Sequence, residues 1–343
     1  MSLREAIEAA IRGDEVSAPI LEAAFGEIAD GKATPVEIGA LLVALRTKGE
    51  TVGEVVAAAR ALRSRGRSVR VSDPRTVDTC GTGGDRAGTF NISTTAAFVV
   101  AGAGVPVAKH GNRAASSRAG SFDVLEALGV RIEIPVEEAA RVLEEIGIAP
   151  FFARVAHPAM AQVASVRREL GVRTLMNCMG PLLSPVGARR QLVGVYEPAL
   201  CALLARVLLA LGADAALVVH GSDGLDEITV TGPTHAVRSG GAFGEGRAFE
   251  IDPRDLGIRL AAPESLRGGD AAENAALLRA VLEGEPGPRR DVVLLNAAAA
   301  LWVADAVENL AEGVARARAS LDSGAARAKL DALVRATHAV GRV

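Results

Sequence analysis

Residues 78–113 constrain the chain more than any other stretch. Asp78-Thr79-Cys80-Gly81-Thr82-Gly83-Gly84-Asp85 follows a short extended run closing at Val77 and leads into Asn91-Ile92-Ser93-Thr94. The glycines allow a turn that presents backbone N–H groups, and Asn91 or Ser93 is placed to cap a following helix. Such a turn is either a phosphate cradle or simply a tight strand-to-helix connection. An apolar helix over 95–102, a strand over 105–108 and a second polar glycine turn, Lys109-His110-Gly111-Asn112-Arg113, complete a unit of βαβ length. Two adjacent strand ends then both offer anion-binding groups, which favours the cradle. The spacing matches neither a P-loop nor a Gly-x-Gly-x-x-Gly turn opening straight into a helix, so neither ATP nor NAD is the natural ligand.

From Arg75 onward short β-branched runs alternate with alanine-rich helices, the pattern of an α/β sheet. Strands are expected at Val77 and over 105–107, 131–134, 191–195 and 216–219, with helices over 123–128, 135–146, 157–170 and 198–211. After Ile228 a hairpin excursion is expected, then helices from Ala271, Val292 and Gly324. The first seventy residues read differently, as four packed helices. Ser2-x-x-Glu5, Thr34-Pro35-Val36-Glu37 and Thr51-x-x-Glu54 are capping boxes, and Lys48-Gly49 and Arg65-Gly66 stop helices. Arg60, Arg63, Arg65, Arg67 and Arg70 read as a solvated helix end rather than a phosphate patch. The expected organisation is a smaller helical domain over 1–70, joined by the helix and loop in 155–187, and an α/β domain over 71–154 and 188–343.

Composition narrows the function. At 343 residues the chain can bury two cores, and no run reaches the ~20 apolar residues of a membrane span, so a soluble, cytoplasmic protein is expected. A net charge of −3 argues against coating nucleic acid. Cys80, Cys178 and Cys201 fit neither a disulfide framework nor a zinc site, and Cys80 reads as a packing residue rather than a nucleophile. Only four of the 38 basic residues are lysines, so Lys109 in the second glycine turn is singled out as a compact point charge.

A second constellation, His220-Gly221-Ser222-Asp223-Gly224-Leu225-Asp226-Glu227, follows an apolar strand. Ligands of open α/β sheets bind beyond the carboxyl ends of strands, so Asp226 and Glu227 are either solvated loop acids or holders of Mg²⁺ beside a phosphate. The nearby cradle favours Mg²⁺. Arg167 is a candidate clamp for an acceptor carboxylate, or else a partner of the acids around Glu169. His157, before proline, reads as a structural turn residue.

Together 78–85, 91–94, 109–113, His157-Pro158-Ala159-Met160, Val166-Arg167-Arg168, Gly180-Pro181-Leu182 and 223–227 resemble the anthranilate phosphoribosyltransferase family. The resemblance extends from Lys48-Gly49-Glu50-Thr51 to the blocks at 269–275 and 294–297. It implies a two-domain fold like those of nucleoside phosphorylases, with a mixed sheet flanked by helices, usually as a homodimer. The implied reaction joins anthranilate to 5-phosphoribosyl 1-diphosphate with Mg²⁺, in tryptophan biosynthesis. Carried over, Gly81, Gly83, Gly84, Asp85, Thr89, Asn91, Ser93, Thr94, Lys109 and Ser121 would hold the donor. Gly81, His110, Asn112, Arg167, Gly180 and Pro181 would face anthranilate, and Ser93, Asp226 and Glu227 would hold the metal. No catalytic acid, base or triad is implied, because positioning and electrostatics suffice. The chain departs from the family at Ala114-Ala115, at Leu183-Ser184-Pro185 and over 176–179, all on the acceptor side. Rival readings are a pyrimidine-nucleoside phosphorylase and a non-catalytic nucleic-acid-binding homologue. The glycine loop lacks the lysine-rich surroundings of the first, and the retained Asp226-Glu227 opposes the second.

Overall fold

Thr34 and Thr51 each accept the N–H of the glutamate three residues on, and Glu37 and Glu54 bond back, so two helices start where their capping boxes place them. The third expected box is absent. Ser2 lies inside the first turn of its helix and its hydroxyl donates to Glu27. The four N-terminal helices are α1 (Ser2–Ile11), α2 (Ala18–Ala29), α3 (Pro35–Lys48) and α4 (Val52–Arg63). They close on a core that includes Leu21, Phe25, Leu41, Leu42 and Leu62. Helix α4 ends at Ser64 rather than at Arg65-Gly66. The structure, a computed structural model, describes residues 2–114 and 118–341.

The remainder is built on β1 (Val77–Gly81), α5 (Ile92–Gly102), β2 (Val107–Gly111), α6 (Ser121–Ala127), α7 (Val136–Ile146) and β3 (Ile148–Phe152). Next come α8 (Ala153–Ala156), α9 (Ala161–Leu170), α10 (Met179–Leu182), β4 (Arg190–Gly194), α11 (Ala199–Ala210) and β5 (Ala215–Gly221). The hairpin β6 (Thr234–Ser239) and β7 (Arg247–Ile251) is followed by α12 (Ala271–Leu282), α13 (Pro288–Val303), α14 (Leu310–Asp322) and α15 (Ala325–Ala339). The strands form one seven-stranded sheet in the order β3-β2-β1-β4-β5-β6-β7. Strands β1 to β5 run parallel, and β6 and β7 add antiparallel, giving the expected mixed sheet with helices on both faces.

One expected strand is not a strand. Over 131–134 Ile132 and Ile134 are buried and Arg131 and Glu133 exposed, but the segment pairs with nothing and is an extended connection. The strand at that side of the sheet is β3, whose Pro150 had masked it. Proline lacks a ladder donor and is tolerated there because β3 lies at the sheet edge.

Two apolar cores result. One lies around α5 and α13 against one sheet face, and the other runs from the helical bundle through Leu175, Met176, Met179 and Leu182 to α11 and the other faces of β4 and β5. Helix α9 packs against α3, with Val166 and Leu170 near Gly39. The arginines in the last turn of α4 are not simply solvated. Arg60 donates to the carbonyl of Ala210 at 3.3 Å, and Arg63 donates to Leu182 at 2.5 Å and Leu211 at 3.4 Å. These guanidinium groups satisfy carbonyls left open at the C-terminal end of α11 and join the bundle to the sheet. No helix among the described residues is long and apolar enough to cross a membrane.

Candidate active site

Strand order reverses at β1, whose neighbours β2 and β4 are reached by connections in opposite directions, and this is where an open α/β sheet leaves a crevice. Strands β1, β2, β4 and β5 all end in glycine at that edge. The reason is close approach. A Cβ on Gly194 would lie 1.6 Å from the Asp226 carbonyl oxygen, and one on Gly81 would lie 2.3 Å from Asp226 Oδ2. The 226–227 segment therefore lies directly across the ends of β1 and β4, which only bare backbone permits. Asp223 holds the segment's base by accepting from the Thr229 and Thr231 hydroxyls, each at 2.7 Å.

The glycine turn meets this segment. The Gly83 N–H donates to Asp226 Oδ2 at 2.6 Å, and the Ser93 N–H donates to Glu227 Oε1 at 3.1 Å. Both carboxylates are largely buried. Burial pushes the Glu227 carboxyl up to about 7 and raises that of Asp226, where the nearby Asp85 adds like charge. Two donors of the cradle are thus aimed at carboxyl oxygens, and this crowded, buried pair of acids calls for a cation. The donor set is hard oxygen throughout, with the Ser93 hydroxyl also bonded to Glu227. No group of three or more His, Cys, Asp and Glu forms a complete cage among the described residues. Such a set fits Mg²⁺, which keeps water and substrate oxygens in its shell.

Asn91 occupies the N-cap position of α5, yet its side chain does not cap. Its Oδ1 instead accepts from Asn274 Nδ2 at 2.9 Å, and Asn274 Oδ1 accepts the Gly269 N–H at 2.7 Å. Thr89 bridges to Arg267, and Gly268 donates to Gly88 at 2.9 Å. A strap over 266–274 therefore fixes the far end of the turn. Thr94 is buried with its hydroxyl unpartnered. Lys109 is also buried, donates to the Thr79 carbonyl, and offsets part of the burial that raises Asp78 to about 6. Its ammonium is therefore held on the β1 backbone away from solvent. Cys80 has its thiol raised well above the ordinary range, by burial first and then by Asp78, so it is a neutral thiol as its packing role requires.

Among the residues expected to face the acceptor, His110 Nδ1 donates to the Gly180 carbonyl at 3.1 Å, and burial lowers its pKa to about 3, so the ring is neutral. Its edge meets the His157 ring at 5.7 Å, and His157 Nε2 donates to the Leu183 carbonyl at 2.6 Å. Pro181 is buried, its carbonyl accepting from Gln191 at 2.8 Å. Asn112 is exposed, and its carbonyl accepts from Ser121 Oγ at 3.5 Å. Arg167 is half-buried and makes no ion pair among the described residues, so it does not pair near Glu169; Arg168 is exposed. Among the described residues no hydrogen bond or ion pair joins Arg167 to another candidate. Of the departures from the family pattern, Ala114 donates to Asp123 at 2.8 Å, Ser184 is buried with an unpartnered hydroxyl, and Ala115 lies outside the described residues. Sequence reasoning missed Gly194 and the tether from Asn274. Glycine inside the β-branched run 192–195 was the available signal for the first.

Residues 4–66 match the glycosyl transferase family, helical bundle domain, and residues 73–327 match the glycosyl transferase family, a/b domain. The chain is 54% identical over 337 residues, 98% of each chain, to the anthranilate phosphoribosyltransferase of Anaeromyxobacter sp. strain K. It is 53% identical over 326 residues, 95% of each chain, to that of Symbiobacterium thermophilum. Its fold is similar to the crystal structure of the anthranilate phosphoribosyltransferase from Thermus thermophilus, with a TM-score of 0.92 and 45% identity over 97% of this chain and 99% of that one. The Saccharomyces cerevisiae anthranilate phosphoribosyltransferase in complex with PRPP and Mg superposes with a TM-score of 0.89 at 26% identity, over 98% of each chain.

Proposed function

The chain belongs to the anthranilate phosphoribosyltransferase family, and on that premise we propose that it transfers the 5-phosphoribosyl group of 5-phosphoribosyl 1-diphosphate to the amine of anthranilate, releasing diphosphate, in tryptophan biosynthesis. The observation that carries this reading is the meeting of the glycine turn with the 226–227 segment, where Gly83 and Ser93 N–H groups already bind carboxyl oxygens. On this reading Gly81, Gly83, Gly84, Asp85, Thr89, Asn91, Ser93, Thr94, Lys109 and Ser121 make the donor surroundings. When bound, Mg²⁺ supplies charge neutralisation for the departing diphosphate, and Ser93, Asp226 and Glu227 would hold it.

The remaining work is positioning. Arg167 meets the carboxylate of anthranilate, and Gly81, His110, Asn112, Gly180 and Pro181 line its ring and amine. Neutral His110 donates to Gly180 and so fixes the loop rather than exchanging a proton. The aromatic amine attacks C1 of ribose directly, so no covalent enzyme intermediate forms and Cys80 has no chemical part. The N–H groups of the cradle favour the charge that develops on the leaving group, which is where preorganised donors accelerate such a reaction. We place the enzyme in the cytoplasm as a homodimer, and exposed Ile11, Val36 and Val43 on α1 and α3 are apolar surface such a pair would cover. The test is direct. Anthranilate fluorescence should decay when the protein is mixed with 5-phosphoribosyl 1-diphosphate and Mg²⁺ and should persist when either is left out; persistence in the complete mixture would refute the reading.

A further inference from the structure

Arg173 lies outside every group of residues so far given a role. It stands in the short connection after α9, just past Gly171, whose φ of +62° turns the chain out of the helix. From there its side chain reaches the glycine turn across the crevice. Its Nη2 donates to the carbonyl oxygen of Gly84, and its guanidinium carbon sits 4.0 Å from the ring centroid of Tyr196, the only tyrosine in the chain. Tyr196 follows the end of β4, is largely buried and belongs to the apolar core shared with the helical bundle. Arg173 is therefore layered between a fixed aromatic face and the backbone of the turn. Such a layer lets a guanidinium keep its stacking and its hydrogen bond at once.

The consequence follows from the peptide unit. A trans peptide sets its C=O and the next N–H on opposite sides, so holding the Gly84 carbonyl toward Arg173 holds the Asp85 N–H away from it. Among the described residues that N–H has no acceptor, and neither has that of Gly84. Both lie beside the Gly83 N–H that binds Asp226. Gly83 and Gly84, with φ of +73° and +89°, allow this turn but do not choose its orientation, since glycine peptides flip readily. A side-chain donor on the carbonyl makes the choice.

We propose that Arg173 is a positioning residue that holds the Gly84 carbonyl out of the donor pocket, so that consecutive N–H groups of the turn face the diphosphate; this rests on the function proposed above. It acts from the same segment as Arg167, six residues earlier on the acceptor side, and thereby ties the donor turn to the acceptor helix.

The test uses the full chain with Arg173→Ala and Arg173→Lys, reading the Kd of 5-phosphoribosyl 1-diphosphate with Mg²⁺ by calorimetry, the KM of anthranilate at saturating donor, and Tm. Loss of a hydrogen bond from a charged donor should raise the donor Kd in Arg173→Ala about 10- to 100-fold. The anthranilate KM should stay within about threefold. Arg173→Lys, which keeps the charge and a hydrogen-bond donor group, should recover part of the loss. An unchanged donor Kd in Arg173→Ala, a parallel rise for both substrates with a fall in Tm, or no recovery with lysine would each overturn the assignment. Wild-type protein assayed alongside separates the two levels: no turnover there refutes the transferase reading itself, whereas normal wild-type turnover with an unimpaired Arg173→Ala refutes this inference alone.

Discussion

At the residue scale the informative groups are those whose surroundings leave a charge or a contact uncompensated. Arg167 has lost part of its hydration without gaining an acid, and burial lowers its pKa accordingly. A carboxylate arriving there would complete an ion pair in a partly desolvated crevice, on the order of 2–4 kcal/mol. Arg167→Ala should therefore cut kcat/KM for anthranilate roughly thirty- to a thousandfold, while exposed Arg168→Ala stays within about threefold of wild type. Titrating each substrate separately checks this, and a loss falling equally on the donor would contradict it. Gly194 makes a second case. Its missing Cβ leaves room for the Asp226 carbonyl, so Gly194→Ala must push the 226–227 segment off the strand ends. The Mg²⁺ concentration for half-maximal rate should rise about 10- to 100-fold, as when groups supporting a metal ligand are disturbed.

At the scale of elements, the 226–227 segment sets activity against stability. Burial raises Asp226, takes Glu227 to about 7 and, in neighbouring β1, Asp78 to about 6, so the ligand-free folded chain keeps protons that the unfolded chain has released. Stability from this source is complete below the ordinary carboxyl range, near pH 4, and is lost as pH rises through about 7. Asn and Gln at 226 and 227 cannot ionise. The double variant should match wild type near pH 4.5 and melt about 2–5 °C higher at pH 8 without metal, as followed by thermal circular dichroism. A variant less stable than wild type at pH 8 would count against this balance.

The same elements show what was legible beforehand. Thr34 and Thr51 announced their helices because a capping box is local, and the glycine turn and the Asp226-Glu227 pair were visible because each is contiguous. Strand β3 was hidden because Pro150 is acceptable only at an edge, and edge position depends on the whole sheet. The alternation at 131–134 was real as burial but found no ladder partner. Asn274 and Asn91 meet across 183 residues, and Arg63 reaches Leu182 across 119, which no local pattern encodes.

At the scale of the whole molecule, function depends on two cores meeting at one crevice. The α/β part supplies the glycine turn and the 226–227 segment, while α9 packs on the helical bundle and the connection after it brings Arg173 onto the turn. Arg60 and Arg63 hold the bundle to the end of α11. On the proposed function, diphosphate leaves between the glycine turn and the 226–227 segment with a cation held there. The measurement that tests it most directly is the rate of anthranilate consumption against Mg²⁺ concentration, for wild type and for Asp226→Asn/Glu227→Gln shown to be folded by circular dichroism. Wild type should show a saturable Mg²⁺ dependence, and the folded double variant a rate below about one-thousandth of wild type. Wild-type-like, Mg²⁺-dependent turnover by the double variant would contradict it.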